Sequence, residues 1–229
     1  MCGLMALVVP LTPVIGQSDP VLTVHGSSDV RVAPDLATVR LGIVGQAVNA
    51  EVAQRDVNVI ANRIFDAVRG LGVDDGDIQT ARLILTPVYS RQRNGDEIPE
   101  IAAYRASNSV SIRMEDIELV GEVIDAGLGA GANQLQGVSF SARDDLPARE
   151  QALEEAIVEA RRKADAMAGA LGVRLDGILS VDEGGVFVQP MQMEMARVAS
   201  FQDSASTPVA PGEIAVSASV TIRYRIAQD

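Results

Sequence analysis

The sequence predicts an α+β protein with largely antiparallel sheets and helices packed on one face. Segments in which apolar and polar residues alternate come mostly in pairs, segments with apolar residues every three or four positions separate the pairs, and turn residues stand between them. In chain order the elements are ββα-ββα-βα-ββ. Paired strands with helices between the pairs are typical of α+β proteins with antiparallel sheets.

The most regular element is a helix predicted over residues 147–171. Asp144 and Asp145 precede it as N-cap residues, and Gly172 follows it where a left-handed residue commonly ends a helix. The positions that share its apolar face are Leu153, Ala156, Ile157, Ala160, Ala164, Met167, Ala168 and Leu171. Because this face is mostly alanine, we expect the helix to lie close to a sheet or to another helix.

The other elements follow in order along the chain. Strands are predicted at 21–32, 36–48, 80–90, 101–114, 135–142, 175–183 and 213–227. The first two strands are predicted to pair as a hairpin, and the last strand is predicted to offer a sheet edge. One helix begins after the cap residue Asn49 and buries a stripe that includes Val52 and Val59, and another begins after Asp116. Residues 186–211, rich in Met, Pro, Ser and Gln, are predicted to form a mobile loop.

Composition and charge restrict the class of protein. The chain has 229 residues, 47% of them hydrophobic and 22% charged, enough for one large domain or two small ones. Aromatic residues make up only 3%, so the core must consist of Val, Ile, Leu and Ala. The formal net charge of −12 repels phosphate backbones, and we therefore expect no nucleic-acid partner.

The first residues have the pattern of an export signal. Residues 4–15 form an apolar run of the length found in signal peptides, and the small residue Gly16 precedes polar residues. The basic start of such a signal is missing, so residues 1–18 are interpreted as a signal-peptide remnant or a disordered tail. The single cysteine, Cys2, precedes the apolar run rather than following it, which does not fit a lipoprotein.

Few residues point to chemistry. His25 is the only histidine, and it is predicted to be a structural or surface residue. The adjacent pairs Asp74-Asp75 and Asp144-Asp145 stand at turns or helix starts, so they are interpreted as caps. Met191, Met193 and Met195 alternate along an extended segment. Thioethers suit Cu(I), but the same spacing suits apolar contact with a partner chain, and an ordinary loop without either role is the third interpretation that stays open.

Several phrases resemble the SIMPL-domain family of bacterial periplasmic and outer-membrane immunogenic proteins. The matching phrases are Val24-His25-Gly26 leading to Val32-Ala33-Pro34-Asp35-Leu36-Ala37, Ile78-Gln79-Thr80 leading to Leu85-Thr86-Pro87-Val88-Tyr89, Tyr104-Arg105-Ala106-Ser107-Asn108, Gly137-Val138-Ser139-Phe140, Ala160 to Gly172, and Pro211-Gly212-Glu213-Ile214. Their ordered set covers nearly the whole chain after Ser18.

This resemblance implies one α+β domain over residues 19–229, export to the periplasm or outer membrane, and a link to oxidative-stress defence. It also implies a homo-oligomer, ring- or channel-like in some members, with peripheral association with the envelope. The family has no agreed catalytic residues and no cofactor, so none is assigned to this chain. The sequence thus favours an exported, non-enzymatic, self-assembling protein. The alternatives are an envelope enzyme with an unknown substrate and a Met-based Cu(I)-binding module.

Overall fold

The computed structural model describes residues 20–90, 99–191 and 207–228. The strands in these ranges are β1 (Val21–Val32), β2 (Leu36–Ala47), β3 (Ile78–Tyr89), β4 (Ile101–Met114), β5 (Gln134–Ser141), β6 (Val173–Met191) and β7 (Glu213–Gln228). The α-helices are α1 (Ala50–Arg69), α2 (Val120–Gly129) and α3 (Leu146–Leu171). Short 3-10 helices stand at Asp75–Asp77 and Ile117–Leu119.

The strands form two antiparallel sheets, which confirms the α+β class and the predicted order of elements. One sheet has the order β1-β7-β6 and the other β3-β4-β2-β5. The predicted hairpin of β1 and β2 is wrong, because the two strands belong to different sheets. The prediction that the last strand offers an edge is also wrong, since β7 lies between β1 and β6. Alternation specifies the apolar face of a strand but not its neighbour.

The chain divides into two compact units, and the larger comprises residues Asp29–Ala152 and Phe187–Ser217. Its core lies on one face of the four-stranded sheet, beneath α1 and α2. In the centre of that sheet β2 pairs antiparallel with β4, and the buried residues Leu41 and Val110 are direct partners. Helix α2 lies close to this pair: a Cβ added at Gly127 would stand 2.1 Å from Cδ1 of Leu41.

Helix α1 begins as predicted, because the side chain of Asn49 accepts a hydrogen bond from the backbone N–H of Glu51 at 2.8 Å. Its buried stripe differs from the predicted one. The buried residues are Ala53, Val57, Ala61, Ile64 and Val68. Val52 and Val59 are 38% and 44% exposed. The alanines Ala53 and Ala61 at the contact let α1 lie close to the sheet. The helix is therefore turned about its axis so that the larger valines Val52 and Val59 lie at the margin of the contact.

Of the residues that the structure describes, the smaller unit comprises 20–28, Leu153–Val186 and 218–228. Within it α3 lies directly on β1 at Gly26. A Cβ added at Gly26 would stand 1.9 Å from the backbone oxygen of Ala156 and 2.8 Å from Cβ of Ala160. The φ of Gly26 is not positive, so glycine is required there by close approach rather than by backbone conformation.

The ends of α3 are close to the predicted ones. The Oδ1 of Asp144 accepts a hydrogen bond from the N–H of Leu146 at 3.0 Å, and Gly172 has a φ of 66°. Its buried stripe in the smaller unit consists of Ala156, Ala160, Ala164 and Ala168. Ile157, Met167 and Leu171, predicted on the same face, are exposed. Alanine every fourth residue makes a ridge inclined to the helix axis, and bulkier side chains fall on either side of it.

The segment between β6 and β7 is shorter than predicted, because β6 continues to Met191. Residues 192–206 of the predicted loop lie outside the described ranges. Where the chain resumes, Thr207 donates to the Asp125 carboxylate from its N–H at 3.0 Å and from its hydroxyl at 2.6 Å. Val209 packs against the core of the larger unit.

We expect Gly26→Ala to destabilise the protein by about 2 kcal/mol or more, because a backbone oxygen of α3 blocks the new methyl group. Chemical denaturation measures the change. Gly169→Ala is the matched control, since Gly169 lies in α3 with nothing within 4 Å of the added Cβ. This control should stabilise by about 0.5–1 kcal/mol. Equal effects of the two substitutions would contradict the close approach at Gly26.

Candidate functional site

The only histidine and the only lysine of the chain meet where α3 crosses β1. The Nζ of Lys163 donates to the backbone oxygen of His25 at 3.0 Å and lies 3.0 Å from Oε1 of Glu159. The Oε2 of Glu159 accepts a hydrogen bond from the backbone N–H of Ser27 at 2.6 Å. The Nδ1 of His25 lies 2.8 Å from the hydroxyl oxygen of Thr221. The contacts of Lys163 and Glu159 tie α3 to β1, and the contact of His25 ties β1 to β7.

The electrostatics of this cluster suit attachment better than proton transfer. The N–H of Ser27, followed by the Lys163 ammonium, lowers the pKa of Glu159. A carboxylate held in its charged form is a poor general acid at neutral pH. His25 is exposed, as predicted for a surface residue. The sequence shows the Glu159–Lys163 pair through its four-residue spacing, but it carries no signal that Ser27 is the third member.

The adjacent acidic residues do not converge on one place. Asp144 caps α3 as predicted, and the hydrogen bond from Arg149 lowers the pKa of Asp145. Asp74 stands at the N-cap position of the 3-10 helix Asp75–Asp77, as predicted, but its side chain makes no capping hydrogen bond, and Asp75 pairs with the Arg69 guanidinium. Within the described ranges, no group of three or more His, Cys, Asp or Glu side chains is placed to hold a metal ion.

The Met-based copper interpretation falls at the border of the described chain. Met193 and Met195 lie outside it. Met191 is the last residue of β6. The Cu(I) site at these methionines therefore stays a prediction.

Strand β6 exposes several apolar side chains in the smaller unit. It lies at an edge of its sheet, and Ile178 and Val181 are 60% and 53% exposed. Leu179 is also exposed. Ile178 and Val181 line a groove of about 490 Å³ together with Ile157 of α3 and Tyr224 of β7. Sequence patterning missed this surface because it treats apolar side chains as core.

Strand β3 is a second apolar edge, in the larger unit. It ends the order β3-β4-β2-β5, and Leu83, Leu85 and Tyr89 are exposed. Leu85 faces Val59 of α1 across a groove of about 440 Å³. Strands β3 and β6 are thus unlike strand edges with exposed aliphatic side chains, and unpaired edges of this kind commonly pair with another chain.

We expect Glu159→Gln to lower the melting temperature at about pH 6, because it removes the charge that Lys163 and Ser27 stabilise. A lowered folded-state pKa contributes stability above the ordinary value of 4.5, and this contribution is lost as the pH falls through the folded-state value. The difference in melting temperature between the variant and the wild type should therefore shrink between about pH 6 and about pH 3.

Glu154→Gln is the control for this titration, since Glu154 is exposed on the same helix. It should leave the melting temperature nearly unchanged across the range. A difference between Glu159→Gln and wild type that is as large at about pH 3 as at about pH 6 would show that the charge of Glu159 is not involved.

No helix in the described ranges is long and apolar enough to cross a lipid bilayer. Comparison with known proteins gives matches over most of the chain. The chain is 29% identical over 215 residues to the 26 kDa periplasmic immunogenic protein of Brucella melitensis, covering 90% of this chain and 84% of that protein. It is 28% identical over 162 residues to the protein YggE of Edwardsiella ictaluri, covering 71% of this chain and 67% of that protein.

The YggE protein of Escherichia coli is 24% identical over 162 residues, covering 71% of this chain and 65% of that protein. The family model SIMPL, described as a protein of unknown function (DUF541), matches residues 22–224. The match begins in β1 and ends in β7, so it includes both sheets and all three α-helices. The chain therefore belongs to the SIMPL family.

Proposed function

We propose that this protein is an exported, non-enzymatic, self-assembling protein of the periplasm. The observation that carries the proposal is the edge strand β6, whose exposed apolar side chains are not covered by any residue in the part of the chain that the structure describes. Soluble monomers rarely leave large contiguous apolar patches in water, and long unpaired strand edges readily accept another strand. A second copy of the chain would remove both features.

The geometry of assembly follows from the presence of two unlike edges. Strands β6 and β3 end different sheets, and each has exposed aliphatic side chains beside a helix. A contact between one surface of a chain and a different surface of its neighbour is head-to-tail, and it gives a ring when the rotation closes. Contact between β6 of one copy and β3 of the next is an arrangement of this kind.

The location in the envelope rests on two independent observations. The Brucella relative is named a periplasmic immunogenic protein, and residues 4–15 form an apolar run of signal-peptide length. Association with the outer membrane and a part in oxidative-stress defence belong to this proposal through the family resemblance alone. The non-enzymatic assignment is supported by the structural roles of Glu159, Lys163, Asp144 and Asp75, each of which has a partner that fixes an element.

Replacing Ile178 and Val181 together by Asn should weaken association. Burying each side chain contributes about 1.5 kcal/mol or more, so the dissociation constant should rise about 100-fold. Light scattering over a concentration series measures it. The matched control replaces Val48 and Leu128, two exposed apolar residues of the larger unit, by Asn. A wild-type protein that is monomeric throughout, or two variants that behave alike, would contradict assembly through β6.

Export is tested by the N-terminus of the protein recovered from its native cell. The apolar run ends before Gly16, and cleavage after it should leave a mature chain that begins near Gln17 or Ser18. N-terminal sequencing of the envelope fraction identifies this residue. Recovery of the chain with Met1 intact in the cytoplasm would contradict export and leave the assembly proposal to be judged by scattering alone.

A further inference from the structure

We propose that the open face of the four-stranded sheet docks on an anionic phospholipid surface. This surface, here called the arginine face, is the side of the sheet opposite the core, and its charged residues are Arg40, Arg82, Arg105 and Arg113. The inference deepens the proposed function, because it rests on a location bordered by lipid membranes. The test uses purified protein, so it is independent of export and of assembly.

The strand register places all four arginines on one side. Leu41 and Val110 are paired and buried in the core, so their neighbours Arg40 and Ser111, also paired, point the opposite way. On β3, Arg82 is the partner of Ser109. Counting in steps of two along β4 puts Arg105 and Arg113 on the same side as Ser109 and Ser111.

The charge of this sheet differs in sign from that of the chain. Strands β2, β3, β4 and β5 contain four arginines and no Asp or Glu, whereas the whole chain has a net charge of −12. Arg113 is paired with Asp77, which precedes β3, at 2.7 Å. Arg40, Arg82 and Arg105 are exposed and make no ion pair with any residue in the described ranges. Three cationic groups are therefore available to a partner.

The spacing of these groups fits an array of anions better than one small anion. From strand geometry, the Cα atoms of Arg40, Arg82 and Arg105 are separated by roughly 12 to 21 Å. Between them lie short hydroxyl side chains and the partly exposed aliphatic Ile84. Ser109 donates to Oε1 of Gln136 at 2.6 Å, so this amide crosses over Gly42 and lies along the sheet. Because Ser109 is buried and its hydroxyl is already bonded, the spread guanidinium groups are the feature that matches a layer of lipid phosphates.

Charge distribution also favours a membrane over a nucleic acid. A long polyanion that wraps the protein meets the acidic remainder of the chain, whereas a membrane touches one face only. The asymmetry between the arginine face and the rest of the molecule turns this face toward an anionic plane before contact. The anionic lipid surface is therefore the partner that the observations support.

The experiment measures partition of the purified full chain onto vesicles. Wild-type protein should bind phosphatidylglycerol-containing vesicles and not vesicles of phosphatidylcholine alone. Replacement of Arg40, Arg82 and Arg105 by Gln should lower the partition coefficient on the order of 100-fold, at about 1 kcal/mol for each arginine near the surface. Added salt should also lower the partition coefficient of the wild type, because it screens the attraction between the arginines and the lipid phosphates.

The matched control replaces Arg63, Arg162 and Arg223 by Gln. These residues are exposed, and the control changes the net charge by the same amount. It should retain most of the binding, and circular dichroism checks that both triple variants are folded. Equal losses in the two triple variants, equal binding to both vesicle types, or a preference for duplex DNA over vesicles would overturn the proposal. If the variant with Gln at positions 40, 82 and 105 lost its oligomers but kept its vesicle binding, the proposal would also be overturned, because the arginine face would then be a contact between copies of the chain.

Vesicle binding and assembly can fail separately. The variant with Asn at positions 178 and 181 should still bind anionic vesicles as a single chain, since the arginine face is in the other sheet. Assembly without vesicle binding in the wild type would overturn this inference and leave the proposed function standing. Vesicle binding by a strictly monomeric wild type would contradict self-assembly and leave the docking of the arginine face on lipid standing.

Discussion

The structure depends on how closely its helices approach its strands. At the contact of α3 with β1, Gly26 faces Ala156 and Ala160 at distances that exclude any side chain larger than hydrogen at the glycine. Helix α2 meets β2 in a similar way, with Gly127 against Leu41. Tighter packing increases the dispersion attraction between the layers and removes more apolar surface from water. Small residues at these contacts therefore stabilise the packing of helix on sheet, although each buries little apolar area itself.

The same constraint explains why large apolar side chains remain outside. A helix that presents alanine to its sheet has no place for branched residues at the line of contact, and Ile157 of α3 is exposed beside that line. Strand β6, which ends its sheet, adds Ile178 and Val181 to this uncovered surface. Close packing inside the chain and apolar exposure at its margin thus have one physical cause, and the exposed margin is what supports self-assembly as the proposed function.

Charge is distributed in a complementary way. Acidic residues at the starts and outer sides of helices secure contacts: Asp144 and Asp75 within their own segments, and Glu159 between α3 and β1. The strands of the larger sheet carry only arginine among the charged residues. Antiparallel pairing then places side chains that are remote in sequence, such as Arg40 and Arg82, on one surface. An acidic protein acquires a basic face in this manner, although the strands that form this face contain no basic run.

The sequence by itself determined the α+β class, the order of elements and the caps at Asn49 and Asp144, because these depend on local periodicity and on side chains that bond to nearby backbone. It also indicated membership of the SIMPL family through short sequence motifs. Tertiary structure alone decided that β7 is central rather than an edge and that β1 and β2 part into different sheets. It also decided which apolar residues stay exposed and which arginines share a face. Periodicity assigns an apolar side to each element, but the neighbour that covers that side is chosen by fit between elements far apart in the chain.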